Sequence, residues 1–497
     1  IRQASRFLEE IAALAQGWCL LPILSDSLKQ KALSSVKWTA FETAARQAVQ
    51  LGVAMILARL LSPAEFGVMA VASVLLAVSS TLIGAGFGVA LVQRQNLSEV
   101  ETSSVFCFGI FASFLMAAAL FLAAPWIASF FDMPALDPVS KVLSLTFIIG
   151  SFGGVHSALL AKHMRFSILA RISLTASAVS SVVAVIMAWN GWGIWSLVGQ
   201  TLAATTVSSV VVWFWSDWRP KLVFSLSALQ PLFHFGVFIV AADLLETVFG
   251  RIYTLLIGKF YTPADLGFYS RADSTLALPN NFTSGIVNKV AMPLFSAATH
   301  DHALLQHAFR KATRVTYYIH APIIVGLTVV ADSLVLTLFG SKWAPSVPYL
   351  QILAVSGLFW LPSTVNFGYL KATGRSKTYF NIELAKKVVL VVIALFTAQI
   401  SIHAMLLAAV AFSIFSYVLT ADVAGKKNQY SWWQQLTDSW RPLAASMFMA
   451  PFAALPLLAG GIPSAWMLFV QVTIGAIVYL MVCKMLACRE QVEILSL

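Results

Sequence analysis

Residues 58–67 read ARLLSPAEFG and residues 258–267 read GKFYTPADLG. The shared corner, Ser/Thr-Pro-Ala-acid-apolar-Gly, recurs 200 residues later. Ser62 or Thr262 can cap the helix that follows, with Pro63 or Pro263 at its first position and the acid in its first turn. One such corner is an ordinary helix start. Two copies imply that a large unit of the chain is written twice.

The composition around the corners sets the solvent. The chain is 59% hydrophobic and only 11% charged, with a mean hydropathy of +0.82. A soluble domain carries roughly 25% charged residues, and no polar half is present here to form one. The fold class is therefore all-α and polytopic in the membrane. Apolar runs fall at about 37–60, 66–92, 102–124, 140–161, 168–188, 193–215, 231–260, 265–298, 314–339, 347–370, 379–399, 402–424, 442–460 and 463–487, about fourteen spans. Four cysteines (Cys19, Cys107, Cys483, Cys488) are scattered without CxxC spacing, so neither a disulfide framework nor a metal site is expected. The net charge of +11 is not read as nucleic-acid binding, because its placement tracks the membrane.

That placement is one-sided. Arg94, Lys162, Arg165, Arg171, Arg219, Lys221, Arg310, Lys311, Arg314, Lys371, Arg375, Lys377, Lys426, Lys427 and Arg441 follow even-numbered spans, whereas odd-numbered turnings hold Arg59, Lys141, Lys259 and Lys342. Lys and Arg stay inside, so both termini are expected in the cytoplasm. Within residues 1–35, the apolar run 11–24 is too short to span and contains Pro22. It is expected to be a cytoplasmic or interfacial segment rather than a cleaved signal, since no small-residue cleavage site precedes span 1.

The twin corners follow spans 1 and 7. Equal corners six spans apart face the same side, so the repeat is parallel rather than inverted. A fainter match supports this: LAKHMRFSI (160–168) follows span 4 and LKATGRSKT (370–378) follows span 10, aligning Leu160 with Leu370 and Arg165 with Arg375. The expected organisation is two six-helix bundles, 36–221 and 222–425, with two more helices and a tail in 426–497. Such bundles about an axis along the membrane normal enclose a path and work by rocking.

With LSPAEFG, YTPADLG, the 6+6 repeat, two extra spans and the stretch LFGSKWAPSVPYLQILAVSG (338–357), the chain resembles the polysaccharide transport family of the MOP flippase superfamily, the Wzx-type flippases. The resemblance covers about residues 35–490. It implies transfer of undecaprenyl-diphosphate-linked oligosaccharides across the bacterial inner membrane for surface polysaccharide synthesis. It also implies that lipid-linked substrate, bilayer and polysaccharide polymerase or export proteins are the partners. No cofactor is expected; coupling to a proton or sodium gradient stays open. The alternative is a MATE-like cation or drug antiporter, which favours acidic cavities and twelve spans. A membrane enzyme fits least, because the longest external turning (125–139) offers only Asp132 and Asp137, and no Walker A pattern is present.

Ionisable residues inside spans need a partner or water. Span 1 holds Glu42 and Arg46, four apart, which could equally be a self-neutralising pair. Span 7 holds Asp243, Glu246 and Arg251; span 8 holds Arg271, Asp273 and Lys289. Arginine's planar fork suits a diphosphate, so Arg46, Arg251, Arg271 and Lys289 are candidate substrate contacts. Each could instead serve in a structural ion pair. Glu42, Asp243, Glu246 and Asp273 are candidates for gating or ion coupling, with Arg46 and Glu246 equivalent under the 200-residue offset and expected to meet across the path. Pro279, Asn280 and Asn281 mark a break or a kink in the overlong span 8, and a break would add Asn280 and Asn281 to the cavity. Gly84, Gly86 and Gly88 are read as helix packing, His156 and His320 as structural or proton-accepting, Glu383 and Lys387 as a pair, and Trp432 and Trp433 as interfacial anchors.

Overall fold

A repeated helix start should appear as a repeated backbone, and it does. In the computed structural model, which describes residues 46–93, 97–221, 223–297, 302–426, 430–459 and 464–488, both corners close as capping boxes. The Ser62 N–H donates to Glu65 Oε2 at 2.7 Å and the Glu65 N–H donates back to Ser62 Oγ at 3.4 Å. The Thr262 N–H donates to Asp265 Oδ2 at 3.3 Å and the Asp265 N–H returns to Thr262 Oγ1 at 3.2 Å. These reciprocal bonds satisfy donors at the helix ends, each cap contributing about 1 kcal/mol.

Every helix and turn described is helical or 3₁₀, and the chain divides into two compact units, Ile1–Gly267 and Phe268–Leu497. In the first, α1 is 46–60. It is followed by α2 (Pro63–Gln93), α3 (Glu99–Phe130), α4 (Leu136–Leu143), α5 (Leu145–Lys162), α6 (Phe166–Trp189), α7 (Trp195–Trp215), α8 (Leu226–Gly250), α9 (Ile252–Phe260) and the first turn of α10 (Pro263–Ala297). Helix α2 packs on α8, α6 on α7, and α5 on α3 and α7. Ala184 and Ala188 of α6 let it close against Val53, Leu57 and Leu61 of α1 and Leu197 of α7, the small-residue packing that membrane helices favour.

The second unit holds the rest of α10, then α11 (His302–Leu338), a 3₁₀ turn (Ser341–Trp343), α12 (Ser346–Ala372), α13 (Ser376–Ala398), α14 (Ile402–Gly425), α15 (Trp432–Asp438), α16 (Trp440–Ala454) and α17 (Ser464–Met485). Helix α11 is its spine, packed on α12, α16 and α17. The Tyr479 hydroxyl of α17 donates to the Tyr318 carbonyl of α11 at 2.7 Å inside a buried cluster with Ala445, Met449 and Cys483. Nine helical segments among the described residues are long and apolar enough to cross a membrane. The remaining expected spans fall on α1, α8–α9, α10, α13 and α16.

The twin corners also touch. A Cβ on Gly67 would overlap the Pro263 carbonyl, and a Cβ on Gly267 would overlap the Pro63 carbonyl. Each copy of the motif thus fixes the glycine of the other, since only a residue without a side chain allows so close a backbone approach. The fainter repeat is equally literal. Met164 (φ 56°) and Gly374 (φ 72°) both enter the left-handed region at matching positions. The Arg165 N–H donates to the Leu160 carbonyl at 2.9 Å, and the Arg375 N–H to the Leu370 carbonyl at 3.0 Å, the same C-terminal cap twice.

The offset of that second match pairs His156 with Asn366, and both are fully buried. His156 Nδ1 lies 3.0 Å from Ser216 Oγ, in the segment after α7. Gln435, in α15 after α14, donates from Nε2 to Asn366 Oδ1 at 3.0 Å. In each copy, the chain leaving the sixth expected span returns to bond a buried polar side chain on the fourth.

Candidate functional site

Helix α8 ends at Gly250 and α9 begins at Ile252, with Arg251 between them at φ −115°, ψ 13°. Glycine is the poorest ordinary helix former, by about 1 kcal/mol against alanine, and it marks the interruption. Of the break or kink that Pro279–Asn281 could mark, there is no break: α10 runs as helix through these residues. Two threonines back-bond the helix on either side of the proline. Thr275 Oγ1 donates to the Arg271 carbonyl at 2.8 Å, and Thr283 Oγ1 lies 2.8 Å from the Pro279 carbonyl. A proline removes one N–H, and local hydroxyls of this kind let a membrane helix carry it.

Along α8, Asp243 and Glu246 are exposed, and so is Arg251 beyond the break. Their spacing puts Asp243, Glu246 and Thr247 on one stripe. Thr247 Oγ1 donates to the Asp243 carbonyl at 2.7 Å and lies 3.3 Å from Thr81 Oγ1 of α2. Hydroxyls therefore bridge α2 and α8 beside the carboxylates. This seam escaped the sequence reading, although Thr247 stands one helical turn after Asp243. On α1, Arg46 is half-buried, and neither it nor Glu246 is without interaction partners. Glu42 lies outside the described residues.

The candidates on α10 are distributed differently. Arg271 is buried, its guanidinium 4.8 Å from the Phe339 ring and 5.0 Å from the Trp343 ring of its own unit. Such a cation–π stack contributes about 0.5–2 kcal/mol. Asp273 and Asn280 are half-buried and Asn281 is exposed, while Lys289 lies further along the same helix. Among the remaining charges, Glu383 pairs with Lys386 at 2.8 Å, and Lys386 covers the Phe367 ring at 4.4 Å. At the second corner, burial and then the Asp265 carboxylate raise the Tyr261 phenol above its ordinary value, so it stays neutral.

A cavity of about 570 Å³ opens in the first unit between Leu97, Glu99, Lys162, Arg165, Asp217 and Trp218. Its charges are largely matched: Arg165 bonds Asp217 at 2.9 Å and Lys221 bonds Glu99. The α8 stripe is thus the better candidate for a transport surface.

The fold and the stripe can be set beside known proteins. Residues 56–348 match the family model described as polysaccharide biosynthesis protein. The succinoglycan biosynthesis transport protein ExoT of Rhizobium meliloti is 30% identical over 347 residues, 70% of each chain. The lipopolysaccharide biosynthesis protein WzxC of Escherichia coli is 27% identical over 335 residues, 67% of this chain and 68% of its own. The teichuronic acid biosynthesis protein TuaB of Bacillus subtilis is 25% identical over 356 residues, 71% and 74% of the two chains. Among solved structures, the lipid II flippase MurJ in an inward closed conformation superposes with a TM-score of 0.74 at 13% identity, covering 90% of this chain and 98% of its own. An inward-facing MATE transporter of the MOP superfamily gives 0.61 at 14% identity, over 78% and 96%. At those identities the structural likeness speaks for the fold alone. By sequence across both twin corners, the chain belongs to the polysaccharide biosynthesis protein family.

Proposed function

We propose that the protein is a flippase that moves lipid-linked oligosaccharide repeat units across the bacterial inner membrane for surface polysaccharide synthesis. The observation that carries this reading is the exposed stripe of Asp243 and Glu246 on the largely apolar α8, with exposed Arg251 just beyond its end. Each such charge costs about 2.5–3.5 kcal/mol at the centre of a bilayer, so the stripe belongs beside water. A wet path lined by both signs of charge suits a diphosphate and its sugars better than a purely cationic cargo. The biosynthetic and transport names of the relatives support the same substrate class.

In this reading residues 36–221 and 222–425 are the two bundles, with two further helices in 426–497. Residues 1–35 form a cytoplasmic or interfacial segment, both termini are cytoplasmic, and the polymerase and export machinery are the protein's neighbours. Arg46, Arg251, Arg271, Lys289, Asn280 and Asn281 serve the substrate, and Glu42, Asp243, Glu246 and Asp273 serve gating or ion coupling, Arg46 meeting Glu246 when one side is closed. No catalytic step is required. The glycine crossing of the two corners supports rocking, because a close approach of glycine to a backbone carbonyl can part at that point without tearing interlocked side chains.

Deleting the gene in its host and extracting undecaprenyl-linked intermediates tests this. Complete repeat units should accumulate while surface polysaccharide is lost. Normal lipid pools with altered tolerance to cationic compounds would favour the antiporter instead.

A further inference from the structure

His320 sits in the middle of α11, fully buried, and joins three helices. Its Nε2 lies 2.9 Å from the Gly357 carbonyl of α12, and its Nδ1 lies 3.0 Å from Thr283 Oγ1 of α10. We propose that His320 is a proton-binding site, and that its protonation sets the direction of the Thr283 hydroxyl and with it the bonding of α10 at Pro279.

The argument is a count of protons and lone pairs. A carbonyl only accepts, so Nε2 must carry a hydrogen towards Gly357. Thr283 has one O–H and three acceptors within reach: the Pro279 carbonyl at 2.8 Å, the Asn280 carbonyl at 3.2 Å, or His320 Nδ1 at 3.0 Å. With one proton on the ring, the hydroxyl turns to Nδ1 and the Pro279 carbonyl loses that bond. With two, Nδ1–H donates to Thr283 Oγ1 and the hydroxyl returns to Pro279. The second state makes one hydrogen bond more. Asn280 Oδ1 adds a further acceptor, buried and without a hydrogen-bond partner among the described residues, 3.6 Å from where a Gly357 side chain would start. The cluster thus offers the His320 ring and its neighbours more acceptors than donors.

Of the elements packed on α11, α15 ends in Asp438 and the 3₁₀ turn holds Lys342, and the others bring few charges to its middle. Between Asp273 and Lys289, α10 has no ionisable side chain, and between Tyr349 and Tyr369, α12 has none. Helix α16 carries only Arg441 near its start, α17 has none before Tyr479, and α14 has none between His403 and Tyr417. On α11 itself, Tyr317 faces Tyr417 and Tyr318 faces Tyr479, while the nearest charges are Arg314 and Asp332. The position of the proton site relative to Pro279 matters because Pro279 lacks its own N–H, so the turn that ends at Pro279 already misses a helix bond and the Thr283 hydroxyl switches in the turn next to it.

As a coupling site this rests on the transport reading; as a proton site it does not. Full-length protein in lipid nanodiscs, labelled with nitrogen-15 histidine, can be titrated between about pH 5 and pH 8, with H320Q to identify the His320 signals. The two ring-nitrogen resonances should converge as the pH falls. Glutamine can donate to Gly357 and accept from Thr283, so H320Q should keep the fold while polysaccharide export in cells stops responding to collapse of the proton gradient. If H320Q does not fold, T283V serves, and the His320 midpoint should move because Nδ1–H has lost its acceptor. Resonances that stay in one neutral tautomer throughout, a midpoint unmoved by T283V, or signals that follow sodium rather than pH would each overturn the proposal. The titration needs no substrate, so its failure leaves the flippase reading standing, and failure of that reading leaves the titration intact.

Discussion

A methyl group added at Gly67 would enter the carbonyl of Pro263, and one added at Gly267 would enter that of Pro63. Neither obstacle is a flexible side-chain end, so the crossing itself must shift. Overpacking of this kind costs about 1–3 kcal/mol. Gly52 offers the matched control, because nothing lies within 4 Å of its added Cβ and alanine there should gain about 1 kcal/mol of helix propensity. Thermal unfolding in detergent should therefore rank G67A and G267A below the parent and G52A at or above it. Export complementation should fall in both corner variants. If G67A unfolds like G52A, the crossing is not a close contact in the working protein. At Met164 the same reasoning runs in reverse: a non-glycine residue holds a left-handed φ of 56°, so M164G should stabilise the turn by up to about 1 kcal/mol.

At the scale of elements, charge on a helix means different things on α8 and α10. The Asp243 and Glu246 side chains are exposed, and Arg271 is buried under two rings. Substituting D243N or E246Q should leave the unfolding temperature within error and lower export by about tenfold or more, the size of one lost charge-assisted contact. R271Q should instead lower stability first, since glutamine cannot stack over Phe339 and Trp343 as a cation. Equal loss of stability in all three variants would remove the distinction. Sequence periodicity reached these elements unevenly. Spans and corners were legible, because apolar length and helix caps are local properties, whereas Glu383, expected to pair with Lys387, is seen paired with Lys386. A break and a kink were equally open at Pro279, where Thr283 bonds back to the Pro279 carbonyl and the helix continues, whereas the interruption at Gly250–Arg251 looks harmless inside an apolar run. The Thr81–Thr247 bridge and the His156 and Asn366 clasps were invisible for another reason: each joins residues tens of positions apart, which one sequence does not align.

For the whole molecule, the parallel repeat makes a claim about sides. Corners at Ser62 and Thr262 must face the same aqueous phase, and the caps at Met164 and Gly374 must face the other. In the proposed topology the second side is the cytoplasmic one, where the loop Lys and Arg residues gather. His163, Lys371, Ser62 and Thr262 are all exposed, so single cysteines there, in a chain whose four native cysteines are replaced, can report the sides directly. In intact cells freed of the outer barrier, a membrane-impermeant maleimide should label S62C and T262C and spare H163C and K371C until the membrane is opened. An inverted repeat would put Ser62 and Thr262 on opposite sides, so labelling of only one of them would break the duplication into something other than two like bundles. Labelling of both, together with loss of export on bridging them with a bifunctional reagent and its return on cleavage of that bridge, would tie the crossing of Gly67 and Gly267 to the transport cycle. A bridge that leaves export unchanged would make the crossing a permanent joint, and the movement would then have to be sought at the Gly250–Arg251 break.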